Sequence, residues 1–174
     1  MRCLTDVDDF REYVASRLEG LRRTAYLLCG DWHTADDVVS AALVRLYRHW
    51  RRVSTVDNVD AYVRRTLLRT WLNERRRPWR REVLAGEAIP DPASPRAGPE
   101  AAVTDRMTVL ALLAELPPKR RAVLVLRYFN DLSVEETAKA LDVSPGTVKS
   151  QTARALEVLR GRLEPALGVE GERR

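Results

Sequence analysis

The stretch from residue 130 to residue 160 constrains this chain most, because it predicts two short helices separated by a tight break. Ser133, followed three residues later by Glu136, forms a capping box, in which two side chains satisfy backbone N–H groups at a helix start. Ser144 and Pro145 predict a second start, because the hydroxyl caps the helix and proline has no N–H to leave unpaired. The stretch therefore predicts a helix-turn-helix.

The second of these helices has two contrasting faces. Its apolar residues recur at helical spacing and predict a buried stripe. Its outer face is small and polar, which is typical of a recognition helix that enters the major groove of DNA. An ordinary helical hairpin inside a bundle is the alternative. The apolar stripe holds Val148, Ala155, Leu156, Leu159 and Leu163, and the outer face holds Thr147, Ser150, Gln151 and Arg154.

Composition excludes several classes of protein. The chain has 174 residues, 45% of them hydrophobic, which is enough for a core, and its net charge of +5 favours a polyanionic partner. Cys3 and Cys29 lack ligand spacing, so neither a metal nor another cofactor is predicted. No apolar run approaches the roughly 20 residues of a membrane span, and the N-terminus is acidic, so we expect a cytoplasmic protein with no membrane contact. The sequence shows no set of residues with catalytic spacing. We therefore expect no enzymatic activity and no small-molecule substrate.

Two amphipathic helices are predicted near the N-terminus, over 8–29 and 34–50. Gly30 ends the first, and Thr34 with Asp37 predicts a capping box for the second. The second helix carries more apolar residues than one core stripe needs. It is therefore either buried on several sides, which periodicity alone favours, or offers a second face to a partner.

A third N-terminal helix, predicted over 59–77 after a polar break at 53–58, is rich in arginine. Eight arginines and one acidic residue lie between Arg64 and Arg81, and Tyr62, Trp71 and Trp79 lie among or beside them. Guanidinium groups bind phosphates and aromatic rings stack on bases, so this pattern suits single-stranded nucleic acid. A solvated basic helix with Trp71 in the core explains the same pattern equally well.

The segment 82–104 contains four of the nine prolines and predicts a linker. Helices predicted over 105–116 and 119–129 then lead into the helix-turn-helix. The expected fold is all-α, with two small helical domains joined by a Pro-rich linker and a helix-turn-helix in the C-terminal domain. The expected boundaries are 1–81, 82–104, 105–165 and a tail at 166–174.

Taken together, these pieces resemble an extracytoplasmic-function (ECF) sigma factor, the two-domain kind of bacterial transcription initiation factor. The resemblance covers roughly Phe10 to Leu163. It rests on TADDVVSAALVRLYRHW at 34–50 and on LPPKRRAVLVLRYFNDLSVEETAKALDVSPGTVKSQTARAL at 116–156, in this order around a proline-rich segment. GTVKS in the second helix of the helix-turn-helix is the most specific piece.

The resemblance implies partners for the N-terminal domain. Helix 34–50 would bind core RNA polymerase, which revises the preference for its complete burial, and an anti-sigma factor would cover the polymerase-binding surfaces. The polymerase-binding residues would include Asp36, Asp37, Val39, Leu43, Leu46 and Tyr47. The loop at 53–58 and helix 61–77 would capture the single-stranded −10 element, including a flipped base. The residues involved would be Ser54, Asp57, Asn58, Arg65, Arg69, Trp71, Asn73, Arg75 and Arg76.

The resemblance implies that the C-terminal domain reads the −35 element as duplex DNA. Its contact residues would be Ser144, Thr147, Lys149, Ser150, Gln151 and Arg154, with Lys149 on phosphate. Many members of the family have arginine where this chain has Gln151, and asparagine near the position of Arg69. A stand-alone helix-turn-helix regulator is the alternative function, but it would need a dimer interface or ligand pocket in the N-terminal half.

Overall fold

The computed structural model describes the backbone of residues 4–76 and 109–166, and the side chains of residues 6–75 and 109–163. Within these ranges every regular element is helical, which confirms the prediction of an all-α fold. The chain divides into two compact units, Met1–Ala93 and Ser94–Arg174. The predicted linker at 82–104, Cys3, Trp79 and the tail beyond residue 166 lie outside the described residues.

The first unit contains four described helices: α1 (Leu4–Cys29), α2 (Trp32–Arg48), α3 (Trp50–Val53) and α4 (Val59–Arg76). Gly30 ends α1 as predicted, because its φ of +92° lies in a region that side chains disfavour, and its N–H donates to the carbonyl of Tyr26. Helix α1 begins at Leu4, four residues before the predicted start.

The predicted cap of α2 was wrong. Asp31, rather than Thr34, is the N-cap residue, and its carboxylate accepts a hydrogen bond of 2.7 Å from the backbone N–H of Thr34. The helix therefore begins at Trp32 and ends at Arg48, where His49 separates it from α3. Both Asp31 and Thr34 are good capping residues, so the local sequence offered two starts three residues apart.

The core of the first unit forms between α1, α2 and α4, with α3 closing one end. Trp50 lies at that end, with its ring centroid 5.2 Å from those of both Phe10 and Tyr13. Such aromatic pairs add to the stabilisation that burial provides. The buried core side chains include Ala25, Leu28, Val38, Ala42, Leu46, Val53, Val63, Leu67, Leu68 and Trp71.

The second unit contains α5 (109–115), α6 (Pro118–Leu124), α7 (Val134–Leu141) and α8 (Pro145–Ala166). Helix α6 continues as a π-helical turn over Val125–Phe129, where sequence periodicity predicted an ordinary helix. The core lies between α6, α7 and α8. Its buried residues include Val123, Leu124, Leu126, Ala138, Val148 and Ala155.

Both start signals of the predicted helix-turn-helix are confirmed. Glu136 N donates to the Ser133 hydroxyl over 3.1 Å, and Ser133 N donates to the Glu136 carboxylate over 2.8 Å, so the capping box is complete. Asp142 adopts a left-handed conformation with φ of +59° and ends α7. Thr147 N donates to the Ser144 hydroxyl over 3.1 Å, which caps α8.

Candidate nucleic-acid and polymerase-binding sites

The outer face of α8 gathers the residues predicted to contact duplex DNA. Lys149, Ser150 and Arg154 are exposed. The Ser144 and Thr147 hydroxyl oxygens lie 2.8 Å apart, and the Ser150 hydroxyl donates to the carbonyl of Thr147 over 3.0 Å. These short side chains therefore lie close to the helix backbone. They leave a low polar surface that can approach base edges, with a cation on either side of Ser150.

Gln151 differs from its neighbours because its amide oxygen already has a partner. Arg120, on α6, donates from Nε to Oε1 of Gln151 over 3.2 Å. Both side chains are half-buried. Gln151 is thus bonded to an arginine 31 positions earlier in the chain.

A stripe of polar residues runs along the outward face of α4. Asn58, Tyr62, Arg65, Arg69 and Asn73 follow one another at spacings of three or four, which places them on one side of the helix. Tyr62 is 39% exposed, and Arg69 and Asn73 are also exposed. Asn58 caps the helix, because its side-chain oxygen accepts a hydrogen bond of 2.8 Å from Ala61 N.

Trp71 lies in the core and does not belong to this stripe. Its side chain is 1% exposed, so it has no free ring face on which a base could stack. The Arg75 guanidinium carbon lies 5.7 Å from the Trp71 ring centroid. Of the two interpretations that the sequence left open for this tryptophan, the structure supports burial.

Tyr62 was missed as a candidate contact residue. Its spacing from Asn58 and Arg65 was a signal that could have found it, since positions 58, 62, 65 and 69 share one helix face. Ser54 and Asp57, in the loop before α4, are exposed. The side chain of Arg76 lies outside the described residues.

Some of the predicted polymerase-binding residues on α2 point into the core of the first unit, and others lie at its surface. Val39 and Leu46 are buried, so they support the unit from within. Leu43 and Tyr47 are half-buried. Val44, which sequence reasoning missed, is 52% exposed and is the large apolar residue that α2 presents to solvent. Its position opposite the buried residues was the available signal.

Asp36 forms the ion pair that ties α2 to α1. Arg22 approaches it with two nitrogens, Nε at 2.6 Å and Nη2 at 2.9 Å. The same guanidinium lies 5.3 Å from the Trp32 ring, which stacks on Tyr26 with a centroid distance of 4.1 Å. The hydrogen bonds from Arg22 lower the pKa of Asp36, and those to Asp36 raise the pKa of Arg22.

The lowered pKa predicts a pH-dependent contribution to stability. A carboxylate with a depressed pKa in the folded state stabilises the fold above its unfolded pKa, here about 3.8, and loses that contribution as pH falls through the folded value. Replacing Asp36 by Asn removes the ion pair with Arg22 and should lower Tm at pH 7. The decrease should be slight, because both side chains are more than a third exposed and water screens the pair. The difference from wild type should begin to shrink as pH falls below about 3.8, and it should close once pH lies below the lowered pKa of the folded state. A Tm gap that persisted unchanged in acid would contradict this assignment.

Within residues 6–75 and 109–163, no three metal-ligating side chains form a group that could hold an ion. None of the helices in the described part of the chain has the length and apolar character needed to span a membrane.

The two units match two family profiles. Residues 13–81 match Sigma-70 region 2, and residues 106–159 match Sigma-70, region 4. The solved structure of sigma factor RpoE in complex with the anti-sigma factor NepR from Bartonella quintana has a similar fold. Its TM-score is 0.70 at 22% identity, covering 94% of this chain and 99% of that one.

Similarity to curated proteins extends over most of the chain. The RNA polymerase sigma-E factor of Streptomyces avermitilis is 40% identical over 162 residues, which cover 91% of this chain and 87% of the relative. The ECF RNA polymerase sigma factor SigL of Mycobacterium tuberculosis is 30% identical over 151 residues, with coverages of 86% and 85%. Two units that match these two profiles, and whose described elements are all helical, define a promoter-specificity factor. The chain belongs to the ECF sigma factors, a family of transcription initiation factors, which decides against a stand-alone regulator.

Proposed function

We propose that the two units read two promoter elements in different physical states. Residues 1–81 bind core RNA polymerase and hold the non-template strand of the −10 element after it separates. Residues 105–165 bind the −35 element as a duplex through the outer face of α8. The observation that carries the proposal is the stripe on α4, where an exposed aromatic ring lies in line with arginines.

The α4 stripe has the chemistry that a single strand needs. A base that leaves the duplex loses its stacking partners, and the exposed ring of Tyr62 offers a replacement. Arg65 and Arg69 lie one and two turns further along the same face, where their charges can neutralise successive phosphates. Ser54 and Asp57 extend the polar surface before the helix. A flipped base would meet these loop side chains first.

The C-terminal unit has the chemistry of duplex recognition. Thr147, Ser150 and Gln151 supply hydroxyl and amide groups for base edges in the major groove. Lys149 and Arg154 supply exposed charges for the adjoining phosphates. Ser144 caps the helix, so its role is to fix the start of α8 against the DNA surface.

Helix α2 supplies the polymerase-binding surface of the first unit. Val44 is its exposed apolar residue, Leu43 and Tyr47 flank it, and Asp36 and Asp37 lie toward the start of the helix. An apolar centre within a polar border is the usual anatomy of a protein interface. Val39 and Leu46 act indirectly, by holding α2 on the core. The chain has no enzymatic activity of its own and works in the cytoplasm beside the polymerase.

An anti-sigma factor is the second protein partner in this proposal. The Bartonella quintana sigma factor was solved with the anti-sigma factor NepR, and it shares the fold of this chain. A partner that covers the α2 surface would compete directly with core polymerase. Val44 is exposed and Leu43 and Tyr47 beside it are half-buried, so a partner over this part of α2 would remove apolar surface from water.

Strand opening tests the role of the α4 stripe. Replacing Tyr62 by Ala removes the ring, and base–aromatic stacking is worth about 1–3 kcal/mol per base, so opening should fall roughly fivefold or more. Fluorescence of 2-aminopurine in the −10 non-template strand measures opening by the reconstituted holoenzyme. Affinity for core polymerase should not change. Tyr62→Phe keeps the ring and serves as the matched control.

Two results would contradict the assignment. One is wild-type opening by the Tyr62→Ala holoenzyme. The other is an equal loss of opening and of core-polymerase affinity, because it would place Tyr62 in the protein interface.

A further inference from the structure

The hydrogen bond between Arg120 and Gln151 joins the helix before the helix-turn-helix to the outer face of α8. Arg120 Nε lies 3.2 Å from Gln151 Oε1, within the usual range for an N–H···O bond. Each side chain is half-buried, so the contact is partly shielded from water. It restrains a side chain that otherwise has three rotatable bonds and could present either end of its amide.

The chemistry of arginine fixes which end of the amide faces α6. A guanidinium has five N–H donors and no acceptor, so it can bond only the oxygen of Gln151. The Nε2 group, with its two donors, is then directed away from Arg120. Gln151 therefore presents donors, rather than a donor and an acceptor side by side, to whatever approaches the outer face of α8.

We propose that Arg120 is a positioning residue that sets the base preference of Gln151 in the −35 element, favouring guanine or thymine over adenine and cytosine. The inference rests on the proposed function, since it requires that Gln151 faces base edges. It adds a specificity rule and a residue, Arg120, that does not lie on α8.

The preference follows from the groups that each base displays in the major groove. Glutamine reads adenine by donating to N7 while accepting from N6, which requires Oε1 to be available. Arg120 holds that oxygen, so the adenine contact is weakened. Guanine offers two acceptors, O6 and N7, and thymine offers O4, all of which suit the Nε2 donors. Cytosine displays only the N4 donor and is the poorest match.

The proposal predicts a different base preference for each of three substitutions at Arg120. Arg120→Met removes the donor and frees Oε1, so the guanine-to-adenine ratio should fall roughly fivefold. Arg120→Glu supplies only acceptors, draws Nε2 toward α6, and should shift the preference toward adenine and cytosine. Arg120→Lys keeps a donor and should keep the wild-type preference. Lys119→Ala removes an exposed charge from the neighbouring position and should change no base preference.

The experiment is selection of promoters from a library randomised across the −35 element, using core RNA polymerase reconstituted with the full chain. Gln151→Ala identifies the base pair that Gln151 reads, because the preference there should disappear. Thermal unfolding of each variant accompanies the selection. Base ratios within one selection do not depend on overall affinity, so a merely structural loss would leave them unchanged.

The outcomes separate the inference from the function on which it rests. The proposal is supported if the base preference at the position that Gln151→Ala identifies is lost in Arg120→Met, reversed in Arg120→Glu and kept in Arg120→Lys. The same preference in the Met and Glu variants as in wild type would overturn it. Selected −35 sequences that Gln151→Ala does not alter would also overturn it, while leaving the promoter-reading function intact. Absence of any selected −35 sequence with wild type would contradict that function itself.

Discussion

Replacing Trp71 by Ala is expected to destabilise the N-terminal unit strongly and to weaken polymerase binding and strand opening together. The side chain is 1% exposed and is the largest fully buried side chain among residues 6–75 and 109–163. Truncating a buried tryptophan to alanine typically costs about 3–5 kcal/mol. Whole-domain stability is only about 5–15 kcal/mol, so this is a large fraction of it. Urea unfolding followed by circular dichroism, with a core-polymerase binding assay beside it, measures both effects.

Asn73→Ala is the matched control for this prediction. It lies two residues further along α4 but is exposed, and alanine has the higher helix propensity. Its unfolding midpoint should be unchanged or slightly raised. A stable, polymerase-binding Trp71→Ala variant with a selective defect in opening would instead show that the ring meets DNA, and would contradict the burial described above.

Replacing Val44 by Glu is expected to lower affinity for core RNA polymerase by tens of fold while leaving the fold intact. The residue is 52% exposed, so a carboxylate there is solvated in the free protein. In the complex this carboxylate would lose its water at the proposed interface without gaining a partner of opposite charge, and burying such a group is costly. A cost of about 2 kcal/mol, the size of an interface hot spot, lowers affinity roughly thirtyfold. Titration of fluorescently labelled core enzyme measures the affinity, and circular dichroism checks the fold.

Ser16→Glu controls for the added charge. It introduces the same carboxylate on an exposed position of α1, within the same unit but away from the proposed surface on α2. Its affinity for core polymerase should match wild type. If the two variants lost affinity equally, the effect would reflect net charge, and α2 would lose its assigned role.

The predictable part of the fold was the part encoded by neighbouring residues. The capping box of Ser133 and Glu136, the Ser144 cap and the stop at Gly30 each depend on residues within about four positions of one another. Local sequence therefore specifies them. The predicted start of α2 was wrong for a local reason too. Asp31 and Thr34 can both cap a helix, and the more N-terminal residue is the cap.

The candidate site was less predictable because it depends on which face each helix buries. The arginine-rich pattern of α4 left the role of Trp71 open and did not single out Tyr62. Packing buries Trp71 and leaves Tyr62 39% exposed. Likewise, the apolar surplus of α2 left burial and a partner surface both open. Of the residues that the resemblance assigned to that surface, Val39 and Leu46 are buried, whereas Val44, which was not assigned to it, is 52% exposed. The Arg120–Gln151 bond joins residues 31 positions apart, and no local signal in the sequence predicts it.

The division of labour between the units is tested most directly by site-specific crosslinking in the open promoter complex. A photoreactive benzoylphenylalanine is placed at position 62 in one protein and at position 150 in another, and each holoenzyme is irradiated on the same promoter. We predict that position 62 crosslinks to the non-template strand of the −10 element, and position 150 to the −35 duplex. Crosslinking of position 62 to duplex DNA or to the −35 element would contradict the account.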